Sequence, residues 1–235
     1  MGLVDLGKEL RISQRPLDII YVIDTSLSMS GAKIQSVNNA MHELEALLRG
    51  EAKNNPTAQL NVRILTFGGN ESKWHLEQRT NIEDFYYEDI NKVDGLTPYG
   101  HALGTLCEVL SNDKMPSRGL KPIVVLMSDG WPNDEWKDNL EKFHELSWGK
   151  KAIKIAIAIG TKADRDILAG FTTDPNLVLS ANNSTDLKNF IKWTSTLVTH
   201  TSQHSSQTDS NGKNVPDITP PKPKSMLSDD SDEFV

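Results

Sequence analysis

The sequence of 235 residues contains a single cysteine, Cys107, and no apolar run long enough to cross a membrane. One cysteine cannot form an internal disulfide, which is typical of proteins from a reducing compartment. A transmembrane helix needs about 18 or more consecutive apolar residues, and residues 1–9 have neither the basic start nor the apolar run of a secretion signal. We therefore expect a cytoplasmic protein without a membrane partner.

Clustered positive charge is also missing. The chain carries 25 Lys and Arg against 32 Asp and Glu, which gives a formal charge of −7 and a pI near 5.4. Binding to nucleic-acid phosphates depends on clustered Lys and Arg, so we expect no nucleic-acid partner. The sequence also has no G-x-x-x-x-G-K-[ST] loop and no G-x-S-x-G elbow. We find no catalytic constellation and expect that the chain is not an enzyme.

Apolar residues make up 37% of the chain and recur with alternating strand and helix periods. Strand-like runs fall at 17–23, 60–67, 74–80, 122–127, 152–159 and 176–179. Helical patterns fall at 31–49, 98–112, 133–148 and 164–169, followed by a closing helix that runs to about Val198. This alternation predicts an α/β fold, namely a doubly wound, Rossmann-like, mostly parallel sheet with helices on both faces. The hairpin turn at 68–70 adds one antiparallel edge strand.

Composition divides the chain into three parts. We predict an N-terminal extension at 1–15, one folded domain at 16–198 and a disordered acidic tail at 199–235. Residues after 198 are mainly Ser, Thr, Gln, Asn and Pro, with three Lys against six Asp or Glu. Such a segment buries too little apolar surface to fold alone.

Three polar segments that are far apart in the sequence are expected to lie together at one edge of the sheet. The first is the run Asp24-Thr25-Ser26-Leu27-Ser28, the second is Thr97 before Pro98, and the third is Asp129-Gly130. The first and third follow buried strand-like runs, so both carboxylates lie at the carboxyl ends of strands, where open α/β sheets bind ligands. Hydroxyl and carboxylate oxygens suit a hard cation such as Mg2+.

Each piece also has a purely structural interpretation. Ser28 or Ser30 could cap the following helix, Thr97 stands in an N-cap position before Pro98, and Asp129-Gly130 is ordinary turn sequence. Taken together they favour a metal, because Asp24 and Asp129 placed at one sheet edge without a cation would repel each other.

The order D-x-S-x-S, lone Thr, lone Asp resembles the metal-ion-dependent adhesion site of von Willebrand factor A domains, over about residues 16–198. The resemblance implies that Ser26 and Ser28 ligate the ion directly, that Thr97 does so when a ligand is bound, and that Asp24 and Asp129 act directly or through water. It implies Mg2+ as cofactor, with Mn2+ or Ca2+ as alternatives, and an Asp or Glu of a protein partner at the open position. Leu96 stands where the family often has glycine.

The segments 97–103 and 128–134 look most like the TerY-like bacterial proteins of tellurite-resistance and stress gene clusters. That likeness implies a scaffold in a stress-response or anti-phage system, with a Ser/Thr kinase and a PP2C-type phosphatase among its partners. Pro98, Tyr99 and Trp131 would form the partner-binding rim. The rival interpretation is a metal-dependent phosphatase, which would need a second carboxylate at the position of Ser26.

Overall fold

The computed structural model describes residues 14–204 and Phe234. Six strands form one sheet: β1 Arg15–Asp24, β2 Ala58–Gly68, β3 Glu71–Asn81, β4 Ile123–Ser128, β5 Ile153–Ile159 and β6 Val178–Ala181. Six α-helices connect or follow them: α1 Ala32–Asn54, α2 Tyr99–Val109, α3 Lys137–Glu145, α4 Ser147–Lys151, α5 Arg165–Thr172 and α6 Ser184–His204.

The strand order in the sheet is β3-β2-β1-β4-β5-β6. Only β3 runs antiparallel to its neighbour, β2, and the other four pairings are parallel. The predicted fold class is therefore confirmed, including the antiparallel edge strand. Because the chain order reverses between β1 and β4, the crevice at the carboxyl ends of these two strands is the topological switch point of the sheet.

Alternate residues of the strands bury two separate cores, one on each face of the sheet. In β1, Tyr21 and Ile23 face the core that α1 and α6 complete, whereas Ile20 and Val22 face the core of α2, α3 and α5. A strand buried on both faces needs a nearly continuous apolar run, which explains the Val and Ile content of β1 and β4.

One prediction about the helices is corrected. The single helix predicted at 133–148 is two helices, and α3 begins only at Lys137. Asn133 and Asp134 are instead used as hydrogen-bond acceptors by the backbone of residues 97–101. The chain then breaks at Leu146, whose ψ of 138° is extended. After this break Gly149 lies against the Phe143 carbonyl, where a Cβ would come within 1.8 Å of the oxygen.

The predicted N-terminal extension and acidic tail lie mostly outside the described residues. At the border of the predicted extension, Arg15 already belongs to β1. At the border of the predicted tail, α6 continues past Val198 to His204. The backbone N–H of Phe234 donates to the Asn182 carbonyl oxygen at 3.3 Å, and its side chain packs against the core of α1 and α6. None of the helices in the described part of the chain is long and apolar enough to span a membrane.

Candidate metal site

The two predicted carboxylates come from neighbouring strands at the switch point. Asp24 is the last residue of β1, and Asp129 directly follows β4. The two strands are paired in parallel through Ile23 and Met127, so their carboxyl ends meet at one edge. Both side chains are buried. We call this edge of the sheet the carboxyl edge.

The loop after β1 folds back on itself to bring the two serines together. Asp24 Oδ1 accepts a hydrogen bond from the backbone N–H of Ser26 at 2.8 Å, and the hydroxyl oxygens of Ser26 and Ser28 are 3.0 Å apart. Ser28 Oγ donates to Asp129 Oδ1 at 2.7 Å. The short 3-10 helix Leu27–Met29 makes the turn. The loops after β1 and β4 are therefore joined through side chains.

Thr97 is held in place by the segment that follows the third motif. Its backbone N–H donates to Asn133 Oδ1 at 2.6 Å, and the Asn133 N–H donates to the Thr97 carbonyl oxygen at 3.1 Å. One turn further on, the N–H groups of Gly100 and His101 each donate to a different carboxylate oxygen of Asp134 at 2.9 Å. Asp134 thus serves as the N-terminal cap of α2 from outside the helix.

Gly130 shows how closely the three motifs converge. A Cβ built on this glycine would lie 3.3 Å from Thr97 Oγ1 and 3.7 Å from both Asp24 Oδ2 and Ser28 Oγ. Oxygens of the first two motifs therefore meet beside the backbone of the third. We call Asp24, Ser26, Ser28, Thr97 and Asp129 the oxygen cluster.

The electrostatics of the oxygen cluster are dominated by burial. Desolvation raises the pKa of Asp24 from its ordinary value of 3.8 to about 6, against the opposing effect of hydrogen bonds from Ser128 and Ser26. Ser128 Oγ donates to Asp24 Oδ2 at 2.6 Å. The charge of Asp129 raises the pKa further, but it is the smallest of these causes. The charged form of Asp24 is therefore costly to the metal-free fold.

Three residues of the site were missed by sequence reasoning. Lys33, in the first turn of α1, forms an ion pair with Asp129 Oδ2. Ser128 holds Asp24, and Asn133 holds Thr97. The position of Ser128 directly before Asp129 was a usable signal, since neighbours of a ligand at a strand end often support it. No sequence periodicity marks Lys33 or Asn133 as part of this site.

The predicted rim is corrected in part. Trp131 is 64% exposed beside the oxygen cluster, but Pro98 and Tyr99 are buried. The ring of Tyr99 packs near Phe67 and Trp136 in the core of α2, because it begins a helix whose apolar face is turned to the sheet. Two exposed residues that were not predicted take their place, Leu27 at 63% and Leu96 at 53%. We call Leu27, Leu96 and Trp131 the apolar rim.

The donor set fits a divalent cation of the hard type. It combines two carboxylates with three neutral hydroxyls, which is oxygen chemistry that Mg2+, Mn2+ and Ca2+ accept. No group of three or more His, Cys, Asp and Glu side chains suited to a metal occurs among residues 14–204 and Phe234.

A family model that matches most of this domain identifies the family to which the chain belongs. The model of the von Willebrand factor type A domain matches residues 18–193. The chain belongs to this family. The matched range contains all five residues of the oxygen cluster. No curated protein sequence matches the chain.

Solved structures similar to this von Willebrand factor A domain share its fold at low sequence identity. Proximal thread matrix protein 1 from the mussel byssus is 22% identical with a TM-score of 0.58, over 79% of this chain and 48% of that chain. Another structure of that protein, with a TM-score of 0.55, is described with a zinc-occupied MIDAS motif. The chain spans about half the length of the mussel protein. At such identities the likeness shows the fold alone.

Two microbial structures extend this comparison. The ArnB paralog VWA2 from Sulfolobus acidocaldarius is 18% identical with a TM-score of 0.56, over 75% of this chain and 44% of that chain. The vWF domain of the type V pili tip protein Mfa5 from Porphyromonas gingivalis is 12% identical with a TM-score of 0.60, over 80% of this chain and 96% of that chain. The same architecture therefore recurs in proteins of different overall length.

Removing the external cap of α2 tests how the Thr97 loop is held. We expect Asp134→Ala to lower the free energy of unfolding by about 1 to 2 kcal/mol, because two N–H groups of the first helical turn lose their acceptor. Glu135→Ala is the matched control, since Glu135 is the exposed acidic neighbour. Urea denaturation of the three proteins gives the measurement, and equal stability of all three would show that the cap contributes nothing.

Proposed function

We propose that this chain is a metal-dependent protein-interaction module. In this proposal the oxygen cluster holds Mg2+ and an Asp or Glu of a protein partner completes its coordination. The observation that carries the proposal is the convergence of the three motifs at the switch point of the sheet, where oxygens of Asp24, Ser28 and Thr97 lie within 3.3 to 3.7 Å of one position beside Gly130.

The proposed roles of the five residues in holding the ion follow from the charges of their side chains. Ser26, Ser28 and Thr97 supply neutral hydroxyl oxygens, and Asp24 and Asp129 supply the negative charge. A cation held largely by hydroxyls and water keeps much of its positive charge and attracts a further carboxylate. The hydrogen bond from Ser128 to Asp24 and the two hydrogen bonds that Thr97 and Asn133 exchange orient two of these residues in advance.

The apolar rim favours a protein partner over a small ion or metabolite. Large exposed apolar side chains grouped around a polar centre are typical of protein-binding surfaces. Leu27 lies between the two serines, Leu96 precedes Thr97, and Trp131 follows Gly130. The surface therefore suits a partner segment in which an Asp or Glu is flanked by apolar residues.

The cellular setting is proposed from the sequence resemblance. The likeness of segments 97–103 and 128–134 to TerY-like proteins supports a cytoplasmic scaffold in a bacterial stress-response, tellurite-resistance-type or anti-phage system. A Ser/Thr kinase and a PP2C-type phosphatase are the proposed partners. We also propose that the chain is not an enzyme, since Ser26 stands where a phosphatase of the rival class would have its second carboxylate.

Retention of the proposed kinase or phosphatase on the immobilised full chain tests this function. We expect binding in Mg2+, release by EDTA, and a loss of about tenfold or more in affinity for Thr97→Ala, because the family resemblance places Thr97 on the ion when a ligand is bound. Thr57→Ala is the matched control, since Thr57 precedes β2 at the opposite edge of the sheet.

Two outcomes would contradict the proposal. The first is partner binding that persists unchanged in EDTA. The second is hydrolysis of p-nitrophenyl phosphate by the purified chain that disappears in Asp24→Asn, because that result would favour the metal-dependent phosphatase.

A further inference from the structure

Lys33 places an ammonium group inside the candidate metal site. It belongs to the first turn of α1, and its Nζ pairs with Asp129 Oδ2. The other oxygen, Asp129 Oδ1, already accepts the hydrogen bond from Ser28. The Asp129 side chain is almost fully buried, whereas that of Lys33 is 22% exposed. Both oxygens of this carboxylate are therefore occupied by groups of the chain itself.

The fold provides a path for the Lys33 side chain along the carboxyl edge. A Cβ built on Gly160, at the end of β5, would lie 3.6 Å from Lys33 Cε and 3.8 Å from Lys33 Nζ. Gly160 has a φ of 78°, in the region that favours glycine. The lysine therefore approaches Asp129 from the β5 side, whereas Ser28 approaches it from the loop after β1.

The charges at this carboxylate set up a competition. With Lys33 in place, the charge of Asp129 is already paired within the chain. A divalent cation bound to the same carboxylate would face the ammonium at short range, where like charges repel each other strongly if they are partly buried. A lysine has a flexible stem and a well-hydrated head, so its ammonium group can move into solvent when the cation replaces it.

We propose that Lys33 is the resident counter-ion of Asp129 in the metal-free protein and sets the metal affinity by competing with the divalent cation for this carboxylate. This inference rests on the metal site of the proposed function. Lys33 is then a residue that tunes affinity without being a ligand. It stabilises the metal-free loop arrangement, and metal binding requires its displacement.

Mn2+ binding to the full chain tests the competition, because bound Mn2+ is counted directly by the loss of its free electron paramagnetic resonance signal. We expect Lys33→Met and Lys33→Gln to lower the dissociation constant for Mn2+ by about tenfold. Lys33→Arg should keep it near the wild-type value, because the charge remains. In EDTA, Lys33→Met should melt at a lower temperature than the wild type, since Asp129 loses its partner.

The matched control is Lys162→Met, which removes the same charge from an exposed position two residues after Gly160. It should bind Mn2+ like the wild type. Wild-type binding with an unchanged or weaker affinity in both neutral Lys33 variants would overturn the inference and leave the metal site standing. Absence of binding in the wild type and in every Lys33 variant would overturn the metal site and the inference together.

Discussion

Replacing Gly130 by alanine is expected to abolish Mg2+ binding while leaving the fold intact. The added methyl group would lie 3.3 Å from Thr97 Oγ1 and 3.7 Å from Asp24 Oδ2 and Ser28 Oγ. The two contacts at 3.7 Å are ordinary van der Waals distances, and the contact at 3.3 Å requires Thr97 to move by a few tenths of an ångström. Gly130 is not among the glycines with positive φ. The methyl would nevertheless fill the space between the oxygens. We expect a loss of affinity of at least about a hundredfold, because the site would no longer admit the ion and its water.

Isothermal titration of the full chain with Mg2+ measures this effect. Gly50→Ala is the control, because Gly50 lies in α1 with nothing within 4 Å of its added Cβ. That change should leave metal binding unaltered and stabilise the helix by about 0.5 to 1 kcal/mol. Wild-type affinity in Gly130→Ala would show that the ion binds somewhere other than the oxygen cluster.

The second large effect is expected from Asp24→Asn, which should make the metal-free protein more stable at pH 7. Burial raises the pKa of Asp24 to about 6 from its ordinary value of 3.8, so a charged Asp24 destabilises the fold at neutral pH. Removal of this charge should raise the free energy of unfolding by about 2 to 3 kcal/mol. The asparagine can still accept from the Ser26 N–H, and its amide can donate to the Ser128 hydroxyl.

The pH dependence of the free energy of unfolding provides a second test of the cost of the Asp24 charge. Between about pH 4 and pH 6 the folded metal-free protein binds more protons at Asp24 than the unfolded chain does. This contribution to stability is therefore largest below pH 4, declines as the pH rises to 6, and is absent from Asp24→Asn. The difference in stability between the two proteins should accordingly grow from pH 4 to pH 6 and stay constant above it.

Urea denaturation in EDTA at several pH values checks both expectations. Asp18→Asn is a control of opposite sign, because Asp18 is a buried residue of the same strand that Arg79 contacts at 2.5 and 2.8 Å. Breaking that pair should destabilise the fold. At a Mg2+ concentration one thousand times the dissociation constant the wild type should gain about 4 kcal/mol, so the order should reverse for Asp24→Asn, since the variant loses the ion. Destabilisation of Asp24→Asn in EDTA at pH 7 would contradict the assigned cost of the buried charge.

The sequence determined most of the fold because its elements are marked by local patterns. Apolar runs predicted β1 and β4, and the placement of Asp24 and Asp129 at their ends followed from parallel topology. The break at Leu146 was not predictable in the same way, since it depends on the contact of Gly149 with the end of α3. Local pattern also failed for Tyr99, which lies next to a site residue but turns into the core.

The supporting residues of the site were hidden for a similar reason. Lys33, Ser128 and Asn133 act through contacts between loops that are distant in the sequence. Sequence reasoning also treated the two carboxylates as lacking any positive charge of the chain. Asp129 forms an ion pair with Lys33, and its repulsion contributes less to the pKa of Asp24 than burial does. The sequence predicted the chemical type of the ligands, but it did not predict that Lys33 pairs with one of them.

The most direct test of the metal site is the effect of divalent cations on the purified wild-type chain after treatment with EDTA. We expect one Mg2+ to bind per chain and the melting temperature to rise with its concentration. At a concentration one hundred times the dissociation constant, the free energy of unfolding should rise by about 2.7 kcal/mol. If Mg2+, Mn2+ and Ca2+ at millimolar concentration neither bind nor shift the melting temperature, the five residues of the oxygen cluster are structural caps and turns rather than a metal site.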